Sequence, residues 1–118
     1  KVARKEASRV ISEQVNKLAG DLPVIITGDF NALGDTSEPW KELRKSFSDT
    51  WLDAKQKIGP PYTFGGFKPP RRDAVRRIDW IFYRGSFDIT KCETVLYNED
   101  GRYPSDHYPI YSELALKD

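Results

Sequence analysis

The run Val24-Ile25-Ile26-Thr27, entered from Pro23 and left through Gly28-Asp29-Phe30-Asn31, constrains this chain more than any other feature. Four β-branched residues without polar alternation read as a short strand buried on both faces, and therefore as a central strand of its sheet. The turn formers Gly28 to Asp35 would then set polar groups at the carboxyl end of that strand, where α/β sheets hold their ligands. Upstream, Ala3, Ala7, Val10, Ile11, Val15 and Leu18 recur at steps of three and four between charged residues, which predicts an amphipathic helix over 2–19 stopped by Gly20.

A second helix starts near Thr36 or Ser37, with Pro39 in its first turn and Trp40, Leu43 and Phe47 along one apolar face over about ten residues. Pro60 to Pro70 is a shaped loop around Tyr62-Thr63-Phe64, with room for one brief strand. Arg77 to Tyr83 alternates, with Ile78, Trp80 and Phe82 facing one way and Asp79, Ile81 and Tyr83 the other. Residues 87–97 and 108–116 read as further strands, separated by the turn-rich 98–101 and 103–107. No internal repeat or linker interrupts the 118 residues, so one domain is expected.

Nineteen basic against 18 acidic residues give a net charge of +1, too little field to hold nucleic acid or anionic membrane without local recognition. No apolar run approaches the roughly 20 residues of a membrane span, and a soluble chain is expected, with its compartment open. The single cysteine, Cys92, makes no intramolecular disulfide and has no neighbour at metal-ligand spacing, so it reads as structural.

Three polar groups stand at the ends of apolar strands. Asp29 and Asn31 follow the first strand; Asp79 sits between Ile78 and Trp80, where a carboxylate is costly unless hydrogen-bonded or set on a metal. Asp106-His107, holding the only histidine, opens the last strand. Carboxylates, an amide and an imidazole are the parts needed to position water, hold a hard cation and move a proton at a phosphate oxygen. Lys68, Arg71, Arg72, Arg76 and Arg77 crowd one short stretch, which reads either as a grip on phosphate or as a solvated basic loop.

Gly-Asp-Phe-Asn at 28–31, Arg-Ile-Asp-Trp-Ile-Phe at 77–82 and Ser-Asp-His-Tyr-Pro-Ile at 105–110 together resemble, in order and spacing, three successive signatures of the endonuclease/exonuclease/phosphatase superfamily of DNase I-like metal-dependent phosphoesterases. Asp49-Thr50-Trp51 and Tyr62-Thr63-Phe64 resemble the intervening stretches of its bacterial members. The resemblance implies an α/β fold: half of a four-layer α/β/β/α sandwich, one mixed and mostly antiparallel sheet with helices on one face, with residues 1–118 as the C-terminal half. It further implies catalytic roles for Asp29 and Asn31 at the attacking water, for Asp79 in supporting the phosphate site and for His107 at a phosphate oxygen. Asp106 would lie near the metal or orient the imidazole; apart from the resemblance, Arg76 and Arg77 are the members of the basic stretch placed to contact substrate if that stretch is a grip on phosphate.

The metal so implied is Mg2+, with Mn2+ as a substitute. The family's metal-binding glutamate belongs to the preceding half, so the fragment alone is expected to be inactive and to need that half, or self-association, to cover its sheet. The substrate is a phosphorylated compound, with nucleic acid, phospholipid head group, inositol phosphate and sugar phosphate all open. The competing reading is a non-catalytic, family-like binding or assembly module. A nucleic-acid-binding domain is disfavoured by the near-neutral charge.

Overall fold

The structure is a computed structural model that describes residues 2–71 and 77–117. Helix α1 (Val2–Ala19) fills the span its periodicity predicts. Gly20 ends it in the left-handed region at φ 54°, with its amide on the Asn16 carbonyl at 3.1 Å, a conformation glycine adopts without steric cost. Strand β1 (Val24–Asp29), helix α2 (Glu38–Arg44), strand β2 (Ser48–Asp49), the single turn α3 (Thr50–Asp53) and strand β3 (Gln56–Ile58) follow. Strands β4 (Asp79–Arg84), β5 (Phe87–Thr94) and β6 (Ile110–Leu116) complete the order.

The mixed α/β class is as expected, and among the described residues the strands divide into two three-stranded sheets, ordered β1-β4-β2 and β3-β5-β6. All pairings are antiparallel except β3 with β5. Side chains span the seam between the sheets: Thr50 Oγ1 donates to the Ile81 carbonyl on β4 at 2.9 Å and lies 2.7 Å from Ser112 Oγ on β6. Ser112 Oγ in turn meets the buried Cys92 thiol at 2.9 Å, which gives that cysteine the structural role assigned to it.

β1 is not the central strand that its composition suggested; β4 is, and β1 lies on the sheet edge. Val24 and Ile26 pack with Trp40, Leu43, Phe47, Trp80 and Phe82 and with Ile11 and Val15 of α1. Ile25, pointing the other way, is 52% exposed. An all-apolar run states that both faces favour apolar cover, without saying which element supplies it.

α2 begins as read, on the Ser37 N-cap whose Oγ accepts from Trp40 N, but it is seven residues long, and Phe47 reaches the core from the turn after it. β5 stops at Thr94 rather than 97, and β6 starts at Ile110 rather than 108. Pro109 has no N–H to give a ladder, and the Tyr108 amide is diverted to the Thr63 carbonyl at 2.7 Å.

Candidate active site

Three chain segments bring the polar groups together. The register of β1 and β4 sets Asp29 directly opposite Asp79 at one end of the first sheet. The β1–α2 turn is then fixed by the Phe30 amide on the Ile78 carbonyl (2.9 Å) and by Phe30 stacked on Trp80 at 4.5 Å. The turn before β6 is joined to the Tyr62–Phe64 segment, with Phe64 bridged to His107, and so delivers the imidazole to the same end.

At the centre, His107 Nδ1 lies 2.9 Å from Asp79 Oδ2, and His107 Nε2 lies 3.7 Å from Asp29 Oδ2. One ligand atom from each of these three residues falls within 4.8 Å of the others. Side-chain exposure is 40% for Asp29, 27% for His107 and 15% for Asp79, so the carboxylate at the water-facing end is Asp29. The Asp79 hydrogen bond raises the His107 pKa above 6.5, against the lowering effect of burial; charge on Asp79, Asp29 and Asp106 adds to the rise. A carboxylate can only accept, so Nδ1–H donates to Asp79, and Nε2 is left turned toward Asp29.

Asn31 sits at φ 49°, and its amide donates to Asp29 Oδ1 at 2.9 Å, an Asx-type turn that holds the carboxylate. Arg4 of α1 donates to the Asn31 carbonyl at 2.8 Å. Asn31 is exposed at the mouth and is tied to the site through its backbone.

Two sequence assignments change. Of the two tasks allowed to Asp106, orienting the imidazole belongs to Asp79, because Asp79 Oδ2 occupies Nδ1; the Asp106 carbonyl instead accepts the amides of Gly65 and Gly66, each at 2.9 Å. Arg77 is 5% exposed and turned inward, where it bonds Asp49 through Nη1 (3.2 Å) and Nη2 (2.7 Å) and Asp35 at 3.2 Å. A guanidinium occupied in this way is a structural ion pair and not a hand for substrate. Arg76 lies outside the described residues.

Thr63 was not singled out from the sequence. It is fully buried, and its Oγ1 accepts from the amides of Ile78 (3.0 Å) and Asp79 (3.2 Å). Because its carbonyl also takes the Tyr108 amide, one residue ties the start of β4 to the His107 turn. Asp49 was likewise given no role of its own, and its fully buried carboxylate gathers Trp40 Nε1 and the Trp51 amide besides Arg77. Only the short Asp-Thr-Trp and Tyr-Thr-Phe triplets signalled these positions.

The model of the Endonuclease/Exonuclease/phosphatase family matches residues 7–107. The chain belongs to this family. Solved structures agree. A mannosyl-6-phosphatase from Bacteroides thetaiotaomicron is 28% identical with TM-score 0.85, over 98% of this chain and 47% of that one. An endonuclease/exonuclease/phosphatase from Bacteroides vulgatus is 28% identical with TM-score 0.86, over 98% and 44%. A conserved protein of unknown function from Enterococcus faecalis is 29% identical with TM-score 0.84, over 98% and 45%. The chain thus spans less than half the length of these relatives. Among curated proteins the comparison found no match. Among the described residues, no helix is long and apolar enough to cross a membrane.

Proposed function

We propose that this chain is the histidine-bearing, C-terminal half of a divalent-metal-dependent phosphoesterase, a hydrolase in which water attacks a phosphomonoester or phosphodiester. The reading rests above all on the convergence of Asp29, Asp79 and His107 from three separate segments. In this reading Asp29 orients the attacking water, while the Asn31 side chain at the mouth positions that water and the phosphate. Asp79 keeps His107 oriented and protonated, and His107 Nε2–H donates to a non-bridging phosphate oxygen as charge develops there.

The donor set fits a hard cation. Asp29 offers an exposed carboxylate, the ligand type that magnesium takes, and Asp79, whose Oδ2 is engaged by His107, stands behind it. Asp106, the residue the resemblance implied for the metal, stands outside the three-residue group that could hold an ion, although its charge acts on His107. Mg2+, or Mn2+ in its place, would supply Lewis-acid stabilisation of the phosphate charge.

Covering less than half of each relative fits the reading that a preceding half closes the site and that residues 1–118 are inactive without it or a second copy. Exposed Ile25 lies on the sheet face opposite α1 and α2, where such a half, or a second copy, would pack. A sugar phosphate is the favoured substrate, on the 28% identity to the mannosyl-6-phosphatase and on the small net charge; nucleic acid, phospholipid and inositol phosphate rank below it.

The test is hydrolysis of an aryl phosphomonoester and an aryl phosphodiester by the protein carrying both halves, in magnesium, in chelator and with His107→Ala. Turnover should require magnesium and fall at least about 100-fold in the variant. Metal-independent turnover, or turnover indifferent to His107, would overturn the reading, and no turnover at all would favour the binding-module alternative.

A further inference from the structure

Residues Phe64 to Lys68 form a rim segment that the proposed chemistry does not use. Its turn is closed by the Lys68 amide on the Gly65 carbonyl at 3.3 Å, and both central residues lie at positive φ, Gly66 at 62° and Phe67 at 64°. Glycine takes that conformation freely, whereas a bulky aromatic there is an outlier, persisting only where its surroundings impose it.

The imposition is visible. The amides of Gly65 and Gly66 both bond the Asp106 carbonyl, and the Tyr108 hydroxyl donates to the Lys68 carbonyl, so the segment is bolted to the turn that carries His107. Gly65 is required by close approach, since a Cβ there would meet the Tyr108 phenol at 2.4 Å. Phe64 sets its ring edge-on to the imidazole at 5.2 Å. Tyr62 is buried against Tyr108, yet Phe67, which the fold forces into a strained backbone state, is 59% exposed and buries little in return.

Strain without compensating burial, one residue from an amide bonded to the neighbour of His107, points outward to a ligand. We propose that Phe67 is a specificity-determining residue: a flat apolar platform for the ring of the group esterified to the phosphate, a hexose ring being the class it fits. Ring faces carrying C–H groups pack on aromatic side chains, whereas an acyclic ester gives Phe67 nothing flat to cover. This rests on the phosphoesterase reading and deepens it by naming what the non-phosphate end of the substrate meets.

The experiment compares the protein carrying both halves with Phe67→Asn, asparagine being a residue that tolerates positive φ. Dissociation constants for a hexose 6-phosphate and for glycerol 3-phosphate are measured by NMR titration in chelator, where no turnover intervenes. The variant should bind the hexose ester about three- to tenfold more weakly and glycerol 3-phosphate within about twofold of wild type. Relief of strain should also raise its Tm by roughly 2–5 °C. Equal weakening of both ligands, no weakening of either, a fall in Tm, or a wild type that binds neither would each overturn the proposal. Differential binding together with absent magnesium-dependent hydrolysis would uphold Phe67 and sink the catalytic reading alone.

Discussion

His107 Nδ1 is held 2.9 Å from Asp79 Oδ2, and this contact orients the only imidazole in the chain and raises its pKa. Three consequences follow in the titration of that ring. Its pKa should lie above 6.5 by NMR, and Asp79→Asn should bring it down, since the largest cause of the rise is then gone. A raised pKa stabilises the fold fully below the unfolded value near 6.5, and the contribution is lost as pH climbs through the folded value. Unfolding in chelator should therefore show a loss of stability above about pH 6.5 that is smaller in Asp79→Asn. A His107 that titrates below 6.5 would contradict the pairing.

The Arg77–Asp49 pair, 5% and 0% exposed, is a buried charge pair. Arg77→Ala should cost about 3–5 kcal/mol in denaturant unfolding because it strands the Asp49 carboxylate, whereas an Arg at a substrate rim would cost little. Arg77→Lys should not restore the loss, for one ammonium cannot reproduce the two guanidinium nitrogens now bonded to Asp49. A near-wild-type Arg77→Ala would return Arg77 to the role its sequence neighbourhood suggested.

Thr63→Val keeps the shape of a fully buried side chain while removing the oxygen that accepts from Ile78 and Asp79. The expected loss is about 2 kcal/mol of stability. In the active protein kcat should fall more than KM rises, because what moves is the base of the strand carrying Asp79. A variant with intact stability and unchanged kcat would show that Thr63 positions nothing.

The three signatures and α1 were legible in the sequence because short motifs, periodicity and turn chemistry are local. Helix α1, the Ser37 cap and the alternation of β4 are as read. What escaped the reading is decided by partners far along the chain. β1 lies at an edge because β4, some fifty residues later, pairs with it, and nothing in Val24–Thr27 encodes that. Asp106, next to His107 in the chain, was the residue read as orienting the imidazole, and Asp79, 28 residues away, took that place only once the fold set it on Nδ1. Arg77 looked like one more member of a basic run because its partner Asp49 is 28 residues away. Thr63 and Arg4 act through backbone groups, Thr63 on two amides and Arg4 on the Asn31 carbonyl, which residue type does not advertise.

Arg4→Ala should leave stability within about 0.5 kcal/mol, as expected for an exposed side chain, while lowering kcat through a looser Asn31 carbonyl. Arg4→Lys should recover part of the rate, since a single donor suffices there. An unchanged kcat in Arg4→Ala would mean that the Asn31 turn holds through Asp29 alone.

The central claim, a hard cation seated on Asp29 beside the Asp79–His107 pair, is tested most directly by paramagnetic broadening. Manganese is titrated into the protein carrying both halves while the imidazole resonances of His107 are followed by NMR. The account predicts that His107 broadens at low manganese, that magnesium in excess reverses it, and that Asp29→Asn largely abolishes it. Sharp His107 resonances throughout the titration, or broadening that persists in Asp29→Asn, would contradict it.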